Sequence, residues 1–206
     1  MSRTKSTLDP LAVPAVAHAA AEMVRKAHAL GLIDEAPDFA VLTYPDVKRA
    51  VLRVRQAGIG ERAAADVVRA GPEDTDVLAE RLNEIGALLD ESPLPETEWP
   101  RILEIFDRDQ LAALLGLSPS SIVRYAGNER RTPDEVAARL HFLALIIGDL
   151  AGAYNKIGIR RWFDRRRTLL KGRAPAQVLR GGWQPEDAGP ASIRELARSL
   201  VASPAT

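Results

Sequence analysis

Cysteine is absent from the 206 residues, and histidine occurs three times, as His18, His28 and His141. The first absence removes disulfide scaffolds, thiolate nucleophiles and Cys-ligated zinc together, and it fits a reducing, cytoplasmic setting. The second argues against a multi-histidine metal site, so no metal and no cofactor is expected. Aromatic residues are 5% of the chain. β-Branched residues do not alternate, whereas Ala, Leu, Arg and Glu abound, which is the usage of helices. No apolar run reaches the roughly 18–20 residues of a membrane span. The longest candidate, Leu140 to Ala153, is interrupted by His141, Gly148 and Asp149. The first residues, Met1-Ser-Arg-Thr-Lys-Ser6, are not followed by the apolar stretch and small-residue cleavage site of a secretory leader, so none is expected. What is present, 46% hydrophobic and 27% charged residues, is the balance of a globular protein of one large or two small domains.

The formal net charge of zero hides an asymmetry. Residues 1–98 carry 11 Lys/Arg against 17 Asp/Glu, whereas residues 124–180 carry 13 against 5. A basic segment inside a neutral chain suits an anionic partner, most directly a nucleic-acid backbone. Intramolecular pairing with the acidic N-terminal region fits the composition equally.

The apolar spacing lays out a series of helices. Leu11, Val13, Val16, Met23, Val24, Ala27 and Leu30 form one stripe that Gly31 can end. Asp34 to Thr43 is a loop, with Phe39–Thr43 a short extended piece. Pro45 opens a helix to about Ala57, and Gly58-Ile-Gly60 breaks it. Further helices are expected over Glu61–Arg69 and Glu73–Leu89. Glu91 to Glu98 holds two prolines and three acids and has the composition of an inter-domain linker. Short helices follow at about Trp99–Phe106, Asp109–Leu115 and Pro119–Ala126, then a long one from Pro133 to about Asn155. Within it Val136, Leu140, Leu143, Ile147, Leu150 and Tyr154 make an a/d seam, widened by Phe142 and Ile146. That seam suits either a domain core or a homodimer helix pair.

The sharpest local pattern is Gln110-Leu-Ala-Ala-Leu-Leu-Gly-Leu-Ser-Pro-Ser-Ser-Ile-Val-Arg-Tyr-Ala-Gly127. Leu111, Leu114 and Leu115 line the inner side of a first helix, and Gly116 sits where a Cβ would obstruct a sharp turn. Leu117 plugs the angle. Ser118 is an N-cap and Pro119 the first residue of a second helix, whose Ile122 packs inward. Ser120, Ser121, Arg124 and Tyr125 are then expected on the outward face, where a recognition helix meets the major groove. Arg124, Arg130 and Arg131 suit phosphates or a guanine edge; Gln110, Asn128 and the serines, Ser118 among them, suit phosphate or base-edge contacts. The same helix–Gly–helix also serves as a plain αα-corner. The stretch resembles the Xre (lambda-repressor-like) helix-turn-helix.

A second pattern lies in Ile159-Arg-Arg-Trp-Phe-Asp-Arg-Arg-Arg-Thr-Leu-Leu-Lys-Gly-Arg-Ala-Pro-Ala-Gln-Val-Leu179. Trp162 and Phe163 can anchor a helix end, with Leu170 and Leu179 beneath, Gly172 at a turn and Pro175 opening a short helix. Trp183 can extend this cluster. Together with the preceding pattern, the segment is similar to the Xre/MbcA/ParS antitoxin family, over about Glu98 to Leu200. The family's Pro-Asn pair is replaced here by Arg166-Arg167.

The resemblance implies an all-α antitoxin of a type II toxin–antitoxin pair. Such a protein binds a cognate toxin, typically NAD-consuming or ADP-ribosylating, through its C-terminal domain, and represses its own operon as a homodimer on double-stranded operator DNA. Carried onto this chain, Trp162, Phe163, Arg166, Arg167, Leu170, Gly172, Pro175 and Leu179 belong to the toxin-binding module, some as its core. The expected organisation is an N-terminal helical region (1–95), the helix-turn-helix (96–133), and a long helix with toxin-binding domain and tail (134–206). The tail stripe Ile193, Leu196, Ala197, Leu200 and Val201 suits a partner groove or the helical core. The run Arg165–Arg167 suits a solvated helix face or a phosphate or toxin-cleft contact. No nucleophile–base pair or phosphate loop is present, so no enzyme is expected. The other function that fits is a stand-alone DNA-binding regulator without a toxin.

Overall fold

The structure, a computed structural model, describes residues 9–34, 38 and 40–202, the last two by backbone alone. The expectations about residues 1–6, Phe39 and the Val201 side chain lie outside the described residues. The described residues form eleven α-helices and two 3-10 turns, with no β-strand: the chain is all-α. They divide into two compact units, one of the described residues up to 28 and within 32–92, the other of 29–31 and those from 93 to 202.

In the first unit a 3-10 turn, Pro10–Ala12, precedes α1 (Pro14–Ala29), and α2 (Tyr44–Gln56), α3 (Glu61–Arg69) and α4 (Thr75–Asp90) follow. Each helix buries one stripe: Val16, Ala20 and Met23 from α1, Val47, Val51 and Val54 from α2, Ala64 and Val67 from α3, Leu78, Leu82, Ile85 and Leu89 from α4. Gly58 and Gly60 take positive φ (+81° and +60°) and turn α2 into α3. Lys26 ties α1 to α4, donating to the Gly86 carbonyl at 3.0 Å and to Asp90 at 2.9 Å. Of the extended piece expected before α2, the described residues 40–43 form no strand, although Thr43 itself has extended backbone. The Ala40 amide is held by the Asp38 carboxylate at 3.0 Å in a turn, and Thr43 caps α2.

The second unit contains α5 (Pro95–Leu103), α6 (Arg108–Leu115), α7 (Pro119–Ala126), α8 (Asp134–Ala151), α9 (Lys156–Asp164), a 3-10 turn Thr168–Leu170, α10 (Pro175–Val178) and α11 (Ala188–Ala202). α8 is its axis. Helices α5, α6, α9 and α11 pack against it, and every residue from Arg139 to Leu150 is buried. The a/d seam is therefore core on all sides, not a stripe open to a second copy. Tyr154, expected to end the seam, lies past the Gly152 cap and is 36% exposed. Asn155 is the N-cap of α9, its side chain accepting from the Gly158 amide at 2.9 Å.

The boundary between the two units falls inside the proline-rich stretch, at residues 92 and 93, but the second half of the stretch is corrected. Pro95 occupies the first turn of α5, where its missing N–H costs nothing, so Pro95 to Glu98 is helix and not linker. Glu98 is fully buried. α11 lays Ile193 and Ala197 against α8, both fully buried, so these two residues of the tail stripe belong to the core. Arg194 and Arg198 of α11 approach the buried carboxylate of Asp149 on α8 at 3.5 and 3.9 Å. No single helix among the described residues is long and apolar enough to cross a membrane.

Candidate nucleic-acid interface and C-terminal module

α6 starts at a reciprocal cap. The Asp107 carboxylate accepts from the Gln110 amide at 2.8 Å, and the Gln110 side chain accepts from the Asp107 amide at 3.3 Å. The Gln110 side-chain oxygen is thus occupied locally. The residue also borders a recess of about 180 Å³ with Phe106, Leu114, Arg160, Phe163 and Arg180. Leu111, Leu114 and Leu115 are buried as expected, and Gly116 turns the chain at φ +68°. A Cβ on Gly116 would lie 2.6 Å from the Gly181 carbonyl oxygen, so the turn between α6 and α7 is packed on the 181–183 segment.

Ser118 caps α7, its hydroxyl accepting from the Ser121 amide at 3.2 Å and lying 2.9 Å from both the Ser120 and Ser121 hydroxyls. Three hydroxyls thus cluster at the helix N-terminus, where Pro119 has no N–H and the Ser121 and Ile122 amides are bonded to Ser118. Ser118, Ser120, Val123 and Arg124 are exposed and Ser121 is half-buried, while Ile122 is fully buried. Tyr125 does not stand on the outward face. Its ring is 6% exposed and lies 6.2 Å from that of Trp99, because residue 125 follows Ile122 by three and shares its inner face. Asn128 is exposed in the left-handed region (φ +56°), closing the α7 end. Arg130 covers the edge of the unit with its guanidinium 6.0 Å from the Tyr125 ring centre, and Arg131 pairs with Asp134 at 3.2 Å. Arg124, Ser118 and Ser120 are brought together; Arg130 and Arg131 follow in the next loop.

In the C-terminal module Trp162 and Phe163 are 2% and 1% exposed, with ring centres 5.3 Å apart. Phe163 meets Phe106 edge-on at 5.1 Å. Leu170, Pro175 and Leu179 are buried as well. These five are the core of the module and cannot be its contact surface. Gly172 (φ +76°) makes the turn and is exposed. Trp183 does not extend the Trp162 cluster; it packs on Phe142 at 5.2 Å and donates to the Leu114 carbonyl at 2.8 Å.

α9 ends at Asp164, so Arg165–Arg167 is loop and not a helix face. Arg165 and Arg166 are exposed. Arg167 lies with its guanidinium 5.3 Å from the Trp162 ring centre, its pKa pulled below the ordinary arginine value by burial and by the charge of Arg165.

Three buried polar groups, Glu98, Arg139 and Asp149, organise the unit. Glu98 meets His141 at 2.6 Å and accepts from the Leu94 amide at 3.1 Å; burial pushes its pKa up, against these two bonds. Arg139, 8% exposed, donates to the Trp183 carbonyl at 2.6 Å and the Leu115 carbonyl at 3.2 Å. Asp149 receives α11. A lone charged residue inside an apolar stripe, as at positions 139 and 149, was the one sequence sign of these roles. Among the described residues no three His, Asp or Glu side chains converge as metal ligands.

No protein-family model, curated protein or solved structure matches this chain.

Proposed function

We propose that this chain is the antitoxin of a toxin–antitoxin pair, acting in the cytoplasm. The observation that carries the reading is that the α6–Gly116–α7 corner and the Trp162–Leu179 module are built into one unit around α8. That order, with the spacing Trp-Phe…Leu-x-Gly-x-x-Pro-x-x-Val-Leu, is the one that resembles the Xre/MbcA/ParS antitoxins.

In this reading the exposed face of α7 lies along the major groove. Arg124 takes a guanine edge or a phosphate, and the Ser118–Ser120 hydroxyls with the helix N-terminus hold a phosphate. One eight-residue helix reads few base pairs, so two copies act on paired half-sites. Since the α8 seam is buried within the unit, the two copies meet through another surface. The C-terminal module contributes the toxin contact through its exposed loop, with Trp162, Phe163, Leu170 and Leu179 as the scaffold beneath it.

The test is co-expression with the product of the adjacent reading frame. The antitoxin reading expects that product to arrest growth alone, and this chain to restore growth and be retained with it through purification. A harmless, unretained neighbour overturns the reading in favour of a stand-alone regulator.

A further inference from the structure

The loop between α9 and α10 carries a surface that the interior of the chain leaves unused. Residues 160–180 contain eight Lys/Arg and one Asp. Elsewhere in the unit several cations find acids, with Lys156 meeting Glu104 at 2.9 Å, Arg101 meeting Glu104 at 2.9 Å and Arg131 meeting Asp134 at 3.2 Å, while Arg108, Arg124 and Arg130 form no ion pair among the described residues. Not one of the eight cations in 160–180 forms an ion pair among the described residues. Arg165, Arg166, Lys171 and Arg173 are all exposed. Among them stands Leu169, 77% exposed, the most exposed large apolar side chain of the described residues.

The loop presents these side chains in a fixed form. The Arg167 amide donates to the Arg173 carbonyl at 3.0 Å, and the Gly172 amide donates back to Arg167 at 3.0 Å. Lys171 and Gly172 take left-handed φ (+56° and +76°), a conformation that costs a lysine something to hold. Leu170 points into the core at 4% exposure while its neighbour Leu169 points out. A rigid loop loses little entropy when it docks.

Leucine in water gains nothing from a phosphate backbone but gains on entering an apolar recess. Clustered, unpaired cations repel one another in the free chain and gain from carboxylates brought to them. An apolar anchor ringed by arginines has the composition of a protein-docking centre. We propose that the 165–173 loop is a protein-docking site. Leu169 enters an apolar recess of the partner, and Arg165, Arg166, Lys171 and Arg173 meet Asp and Glu side chains around it. The inference rests on the antitoxin reading, under which the partner is the toxin.

The test uses the full chain and the purified product of the adjacent reading frame, with affinity and association rate measured at low and high salt. Leu169→Asp is expected to weaken binding at least ~30-fold. The double variant Arg165→Glu/Arg166→Glu is expected to slow association about tenfold and flatten its salt dependence. Both should melt as the parent chain does, because the three side chains are exposed. Parent-like affinity in Leu169→Asp overturns the proposal. So does an arginine variant that keeps the protein partner and loses duplex DNA, which would make the face a nucleic-acid surface. A parent chain that does not bind the adjacent product overturns the antitoxin reading itself, and the docking site with it.

Discussion

The Glu98 carboxylate and the His141 imidazole meet 2.6 Å apart, the first fully buried and the second 5% exposed, joining the first turn of α5 to the middle of α8. Burial dominates the Glu98 environment and raises its pKa above the ordinary glutamate value, with the His141 and Leu94 hydrogen bonds opposing. A carboxyl whose pKa is raised by folding holds its proton more tightly in the folded chain. Its contribution to stability is complete below the unfolded pKa and is lost as pH rises through the folded one. Urea unfolding across pH should therefore show stability falling as pH climbs out of the ordinary carboxylate range. Glu98→Gln should flatten that slope. Equal slopes in the two chains would contradict the assignment.

Gly116 is required twice over, by φ +68° and by the Gly181 carbonyl 2.6 Å from where a Cβ would stand. Gly116→Ala should destabilise the chain by about 2 kcal/mol or more. Gly172, equally left-handed, has nothing within 4 Å of its Cβ position. Gly172→Ala should cost about 1 kcal/mol, the conformational term alone. Denaturant melts of the pair separate close approach from backbone strain; equal losses would contradict it.

Arg139 satisfies two carbonyls at once, of Leu115 at the end of α6 and Trp183 before α11. Arg139→Met leaves both in the interior without their donor and should cost about 3 kcal/mol. The exposed Arg131–Asp134 pair is the control: Arg131→Met should stay within about 0.5 kcal/mol of the parent. Similar melting of both variants would remove Arg139 from its structural role.

Arg124 is exposed on α7 and stands clear of the buried core. Arg124→Ala should weaken operator binding and reduce the slope of log affinity against log salt by about 1 if it meets a phosphate, or relax sequence preference at one position if it meets a guanine. Toxin binding should not change. An unchanged operator affinity at low salt would exclude α7 as the reading helix.

Most helix ends were legible because their causes are local. Asp107 and Ser118 cap, Pro119 opens, Gly116 and Gly31 close, and each acts on a neighbour a few residues away. Sequence also showed that α8 is apolar, but not that it is covered on every side, which depends on α5, α6, α9 and α11 arriving there. Tyr125 was misplaced although the spacing from Ile122 held the answer: three residues on from a buried position is the same face. Glu98 was beyond local reading. An acid between prolines has the composition of a linker, and only a histidine 43 residues later explains its burial. The aromatic pattern around Trp162 picked out side chains that are mostly buried, since a motif rich in Trp, Phe and Leu marks what a module buries. The residues between them, such as Arg165, Arg166, Leu169 and Lys171, are the exposed ones.

The central claim is that this chain disarms an enzyme by binding it. The most direct measurement titrates the full chain into the purified product of the adjacent reading frame while following NAD consumption. The account predicts loss of activity, complete once the two proteins reach the stoichiometry of their complex, and recovery of part of it with Leu169→Asp. Undiminished NAD consumption in excess of this chain would contradict it.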